Sequence, residues 1–197
     1  MKKSRNTAQN RLAKRLPATA IHEAGHALAV YRLNFHLKQV SIVPKDDYLG
    51  IARSVLGLSF ARLEHESLDS KMVARWHDFV VYLFAGGEAE RLLVPTRLAP
   101  GSLRGDLKGV QEIVWRLHPL NEQAVVFRYL RIRAQNLVSQ PINRRMIHDL
   151  ADVLVERRSL DGTEVLSIFR ASFGQQTKER EEARGEFASN SSIHGPP

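Results

Sequence analysis

The pattern His22-Glu23-Ala24-Gly25-His26 constrains this 197-residue chain more than any other feature. Residues four apart lie on one face of an α-helix, so His22 and His26 could bind one metal ion. Glu23 is offset around the helix and could reach a water held by that ion. Zinc with three protein ligands keeps a position for water and lowers the pKa of that water to about 7. The pattern therefore predicts a zinc hydrolase helix, and its alternative is a helix with two solvated histidines.

A zinc site of this kind needs a third ligand from elsewhere in the chain. The longer HExxHxxGxxH pattern is excluded, because Ala29 and Arg32 occupy its glycine and histidine positions. A downstream carboxylate must therefore complete the site, and the acidic candidates are Glu64, Glu66, Glu88, Glu90 and Asp106. Asp106 stands out because it follows the glycine-containing loop 101–105 and precedes an apolar helical pattern. The same position suits a helix N-cap, and spacing alone leaves ligand and cap open.

Hydrophobic periodicity and Gly/Pro breaks predict a mainly α fold with one small β-hairpin or sheet. We expect a flexible basic arm at 1–16, a single domain at 17–174 and a disordered polar tail at 175–197. The active-site helix should begin at Pro17 and end near Asn34. A hairpin should follow, with strands at 39–43 and 51–56 around a turn at 46–50. Further helices are expected at about 69–93, 106–117, 121–138 and 142–158, and a short last helix should begin near Thr163.

Composition narrows the classes of protein further. The chain has no cysteine, which excludes a disulfide framework and a cysteine zinc site. No apolar stretch approaches the ~20 residues that span a bilayer, and no secretion signal opens the chain, so we expect a cytoplasmic protein without an integral membrane segment. Most of the net charge of +8 comes from the first 16 residues. A basic arm could bind nucleic acid, but no zinc-finger or RNP-type motif supports that function, and we do not expect it.

Five segments in order resemble the peptidase domain of the FtsH-type membrane-anchored AAA+ zinc proteases. The resemblance covers roughly residues 18 to 170, which makes it far more specific than the pentapeptide. It includes the active-site helix, the strand and turn after it, an Ala-Gly-x-x-Ala-Glu-x-Leu helix, the approach to an Asp-Leu pair and a closing Leu-Asp-Gly signature. In this chain these segments are Thr19–Leu28, Val40–Lys45 with Leu49-Gly50, Ala85–Leu92, Gly101–Leu107 and Leu150–Val165.

This resemblance implies a zincin-like helical peptidase domain with one Zn²⁺ per chain. Carried over by position, His22, His26 and Asp106 become the zinc ligands and Glu23 the general base. Glu90 falls on the family's glutamate, where it could orient a ligand histidine or form an ion pair on the helix surface; we favour the first role. The family assembles as hexameric rings, largely with help from the ATPase module, and the absence of that module from these residues leaves the oligomeric state of this chain open.

The expected substrate is an unfolded or flexible polypeptide, cleaved by an endopeptidase. We expect an edge of the hairpin to bind an extended peptide by strand addition, and the residues chosen for this role are Val40, Ser41, Ile42 and Val43. Unlike the family, the 197 residues contain no GxxxxGK[ST] phosphate loop, so hydrolysis should be independent of ATP in this chain and a separate ATPase or unfoldase could deliver substrates. Two alternatives remain: a non-catalytic adaptor of a related protease assembly, and a nucleic-acid binder that uses the basic arm.

Overall fold

The computed structural model describes residues 2–44, 51–55, 69–95 and 103–175. They form a mainly helical fold with one small antiparallel sheet, which confirms the predicted fold class. In chain order the elements are α1 (Lys2–Arg32), β1 (His36–Ser41), β2 (Ile51–Val55), α2 (Ser70–Leu93), α3 (Arg104–Leu117), α4 (Leu120–Ser139), α5 (Pro141–Arg157), β3 (Ser159–Asp161) and α6 (162–175). Within these ranges, no helix combines the length and the apolar character needed to cross a bilayer.

Helix α1 lies at the centre of the fold. Its segment from Ala20 to Val30 is buried on every side, and it packs against both α2 and α5. The prediction that this helix begins at Pro17 was wrong, because α1 begins at Lys2 and contains Pro17 in its interior. The segment expected as a flexible arm is therefore helical from Lys2 onward. Its Ala, Leu, Lys, Arg and Gln residues are strong helix formers, and this propensity outweighs the start signal that Pro17 gives.

The hydrophobic core has two parts on either side of α2. One part surrounds α1 and combines its buried side chains with those of α5, α6 and the sheet. Leu28 of α1, Leu150 of α5 and Phe169 of α6 belong to it. The other joins α2, α3 and α4, with Trp76 and Ile113 fully or almost fully buried. The predicted helices 69–93, 106–117, 121–138 and 142–158 all occur within two residues of their expected ends. Helix α2 has Asp69 as its N-cap, whose side chain accepts a hydrogen bond of 2.7 Å from the Met72 amide.

The sheet has the strand order β2-β1-β3, and both pairings are antiparallel. The hairpin of β1 and β2 is confirmed, although its predicted turn at 46–50 and Leu56 lie outside the described residues.

Strand β3 was not predicted. It lies between α5 and α6 in the segment with the Leu-Asp-Gly signature, where Leu160 is buried and Asp161 caps α6 through the amides of Thr163 and Glu164. A Cβ on Gly162 would lie 1.9 Å from the Leu37 carbonyl oxygen, so only glycine fits there.

Candidate metal centre

Three potential ligand atoms from two helices converge on one point. Helix α1 supplies the Nε2 atoms of His22 and His26, which lie 3.1 Å apart. Helix α3 supplies Asp106, whose Oδ2 atom lies 3.2 Å from Nε2 of His22 and 3.4 Å from Nε2 of His26. A tetrahedral zinc ion with bonds of about 2.0–2.1 Å would separate its ligand atoms by about 3.3–3.4 Å. The donor set and its spacing therefore fit one small divalent cation, and this is the one such group among the described residues.

The structure excludes one of the two roles that the sequence left open for Asp106. Helix α3 begins at Arg104, its N-cap is Leu103, and no side chain caps it. Asp106 lies in the first helical turn and directs its carboxylate at the two imidazoles instead of the helix amides. The N-cap role is therefore excluded.

Each histidine is held through its other ring nitrogen. Nδ1 of His26 donates a hydrogen bond of 2.9 Å to the backbone carbonyl of Tyr82 in α2, which can only accept. Nδ1 of His22 lies 3.1 Å from Oε2 of Glu90, a carboxylate oxygen that also accepts. Both Nδ1 atoms therefore carry a hydrogen, and in a neutral ring the Nε2 lone pair points at the shared centre. Outer partners of this kind orient metal-binding histidines in proteins.

The electrostatics of the metal-free centre follow from this arrangement. Two Nε2 lone pairs and a carboxylate facing one another repel unless a proton or a cation lies between them. Burial alone would lower the pKa of His22, but its hydrogen bonds to Asp106 and Glu90 outweigh burial and raise the pKa to about 10. Burial would likewise raise the pKa of Asp106, but the neighbouring His26 and His22 hold it well below its usual range. A proton on His22 and a metal ion would therefore compete for the same position.

Glu23 occupies the same buried turn of α1 as His22. Only 6% of its surface is exposed, and its negative charge contributes to the raised pKa of the His22 imidazole. Glu23 follows the first histidine directly, so it is offset from the ligand face of α1. The structure therefore places a buried carboxylate on the turn of α1 that carries His22, near enough for its charge to act on that imidazole.

Glycines let α2 approach the two histidines closely. A Cβ added to Gly86 would lie 2.4 Å from Nε2 of His26, and a Cβ on Gly25 would lie 2.7 Å from both the Ala85 carbonyl oxygen and the Ala89 Cβ. Gly25 thus allows the backbone of α2 to approach α1 closely. Gly86 interrupts a helical pattern at a cost of about 1 kcal/mol relative to alanine, and the contact with His26 explains why it is there.

The other acidic residues considered as a third ligand do not face the candidate metal centre in the described part of the structure. Glu90 contacts His22 through Nδ1, which agrees with the orienting role that we favoured over a surface ion pair. Glu88 is buried on another side of α2, where it accepts hydrogen bonds from Arg131 and Gln135. Glu64 and Glu66 lie outside the described residues.

The predicted substrate strand at Val40–Val43 needs correction. Strand β1 is central: Val40 and Ser41 pair with β2 on one side and with β3 on the other. The Ile42 amide donates to the Arg158 carbonyl, and the Val43 amide donates to the Ser41 hydroxyl. These backbone groups already form hydrogen bonds within the protein and are not available to pair with a substrate peptide. The sequence gave no sign of the second pairing, since β3 is only three residues long. Among the described strands, β2 and β3 each pair on one side only.

Sequence reasoning also missed the Tyr82 carbonyl and the contact between Gly86 and His26. A backbone carbonyl leaves no residue-type signal. The pair Gly86-Gly87 inside a strongly helical stretch was the available sign of a close approach.

Comparison with known proteins adds no identification. No protein-family model matches the chain, and no curated protein matches it.

Proposed function

We propose that this protein is a zinc-dependent endopeptidase. The observation that carries the proposal is the convergence of the ligand atoms of His22, His26 and Asp106 within hydrogen-bonding distance. The next residue of α1, Glu23, is buried, and its charge acts on His22. The resemblance to FtsH-type peptidase domains, which extends over several segments of the chain, supports the same function. His22, His26 and Asp106 would hold one zinc ion per chain.

Each of these residues has a distinct role in the proposed reaction. Zinc in this position would act as a Lewis acid that polarises the scissile carbonyl and lowers the pKa of water. Glu23 would take a proton from the attacking water and deliver it to the leaving amine. Glu90 and the Tyr82 carbonyl would keep the two imidazoles in the tautomer that presents Nε2. Asp106 would add a negative charge and thus complete a ligand set from two helices.

The proposed substrates are unfolded or flexible polypeptides. An extended peptide could bind through its main chain to the outer edge of β2, which would demand little of the substrate sequence. Hydrolysis itself would need no ATP, and a separate ATPase could deliver folded substrates. A cytoplasmic location belongs to the same proposal and rests on the sequence, whereas a homo-oligomer would rest on the family resemblance alone.

Cleavage of an unfolded, internally quenched test protein would test the proposal. We expect the zinc-loaded wild type to cleave it, a chelator to stop cleavage, and added zinc to restore it. The matched variant Glu23→Gln should bind zinc as the wild type does but lose hydrolysis, because an amide cannot take the proton. Chelator-resistant cleavage, or an active Glu23→Gln protein, would refute the proposed mechanism. A wild type that holds zinc but cleaves nothing would favour the adaptor role.

A further inference from the structure

A cavity of about 200 Å³ adjoins the candidate metal centre. Asp106 lines this cavity and also contacts both histidines, so the two sites share a side chain. Helix α2 joins them too, because Gly86 lies against His26 and the next two residues, Gly87 and Glu88, line the cavity. A group bound in the cavity would therefore lie beside a peptide bond held at the centre.

Most of the cavity wall is apolar. Phe84 and Phe127 meet edge to face with ring centroids 5.0 Å apart, and Leu103 and Leu107 line the part nearest to Asp106. Walls of this kind bind the aliphatic stem of a side chain by excluding water. The volume suits one side chain better than a longer segment of peptide.

The remaining lining residues form a charged cluster with an excess of positive charge. Glu88 is only 4% exposed and accepts hydrogen bonds from Arg91 and from Nε of Arg131, the latter at 2.8 Å. Gln135 binds the other carboxylate oxygen of Glu88 at 3.0 Å. One carboxylate therefore faces two guanidinium groups, which leaves one net positive charge at the cavity. The carboxylate of Asp106 does not offset this charge, because it faces the two histidines.

Both arginines keep hydrogen-bond donors for a further partner. A guanidinium group has five N–H donors, and within the described residues each of these arginines contacts Glu88 through a single nitrogen atom. Their side chains are 34% and 40% exposed, so neither is enclosed by the protein. Guanidinium groups bind carboxylates in preference to neutral groups of the same size.

We propose that this cavity is a specificity subsite for one substrate residue that carries a carboxylate next to the scissile bond. The apolar walls hold the stem of that residue, and Arg91 and Arg131 bind its carboxylate. The carboxylate belongs either to an acidic side chain or to the C-terminus of the substrate. This inference rests on the proposed peptidase function and adds a substrate preference to it.

A series of quenched peptides tests the subsite in the zinc-loaded wild type. In one set, a single residue next to the cleaved bond is Glu, Gln or Leu, and the two sides of the bond are varied in separate peptides. In a second pair, the residue after the cleaved bond is the last one of the peptide, which ends either as a free acid or as an amide. We expect kcat/KM to be about tenfold higher for Glu than for Gln, or for the free acid than for the amide. The first preference assigns the carboxylate to a side chain. The second assigns it to the C-terminus and would make the protein a carboxypeptidase instead of an endopeptidase.

Two variants and a binding measurement complete the test. Arg131→Gln should abolish the preference for the carboxylate, whereas Arg133→Gln on the same helix, where Arg133 pairs with Asp78, should retain it. Fluorescence anisotropy with the zinc-loaded Glu23→Gln protein should show the same order of affinities for labelled Glu and Gln peptides. Cleavage of all peptides without a preference for a carboxylate would overturn this inference alone. Absence of any cleavage would count against the peptidase function, and the anisotropy measurement would still decide the subsite.

Discussion

Nδ1 of His22 lies 3.1 Å from Oε2 of Glu90, so that a side chain of α2 orients a candidate ligand of α1. Both residues are buried, and the contact joins positions 68 residues apart in the chain. Outer hydrogen bonds of this kind fix the tautomer of a ligand histidine and increase its basicity. If the centre binds zinc as proposed, Glu90 would therefore influence the metal affinity although it does not face the centre itself.

Replacement of Glu90 tests this relationship. We expect Glu90→Ala to weaken zinc binding by about 10–100-fold, because His22 loses the partner that directs its Nε2 at the centre. Competition with a chromophoric chelator measures the affinity. Glu112→Ala is the matched control, since Glu112 forms a surface ion pair with Arg116 on α3 and should bind zinc as the wild type does. Equal zinc affinities in the two variants would contradict the proposal that Glu90 orients His22.

The metal-free protein should lose stability as the pH rises. The pKa of His22 is raised from 6.5 to about 10 in the fold, so its proton stabilises the folded state fully below pH 6.5 and progressively less toward pH 10. Between pH 7 and 9 we expect the free energy of unfolding to fall by about 1 kcal/mol per pH unit. Urea unfolding with a chelator present measures this slope. His22→Gln should lack it, and an equal slope in both proteins would contradict the account.

Gly86 gives a steric test of the centre. Alanine is the better helix former, but a Cβ at this position would lie 2.4 Å from Nε2 of His26 and would displace the ring. We expect Gly86→Ala to reduce zinc affinity at least about tenfold, while the far-ultraviolet circular dichroism spectrum stays that of a helical protein. Gly174→Ala provides the control, because beyond its own helix no described residue would lie within 4 Å of the added Cβ. Unchanged zinc affinity in Gly86→Ala would mean that His26 does not need its observed position.

Much of this architecture could be predicted because its signals are local. The 3.6-residue periodicity and the breaks at Pro119 and Pro141 gave α3, α4 and α5, and the spacing of His22 and His26 gave one face of α1. The convergence of Asp106 is a long-range contact, so spacing alone left its role open. The resemblance to a known family pointed to the ligand role.

The features that the sequence did not reveal depend on contacts between residues that are far apart in the chain. Strand β3 is three residues long and is stabilised by pairing with β1, which no local pattern can indicate. That pairing turned the expected edge strand into a central one. The cavity beside Asp106 likewise depends on residues from α2, α3 and α4, whose side chains meet only in the folded protein.

The most direct test of the metal centre compares the wild type with Asp106→Ala. Asp149→Ala serves as the control, since Asp149 lies on the surface of α5 near Arg145. Bound metal is measured by mass spectrometry after dialysis against limiting zinc, and hydrolysis of an unfolded test protein is measured on the same samples. We predict about one zinc per chain and activity in the wild type and the control, and loss of both in Asp106→Ala. An Asp106→Ala protein that retains zinc and activity would contradict the account.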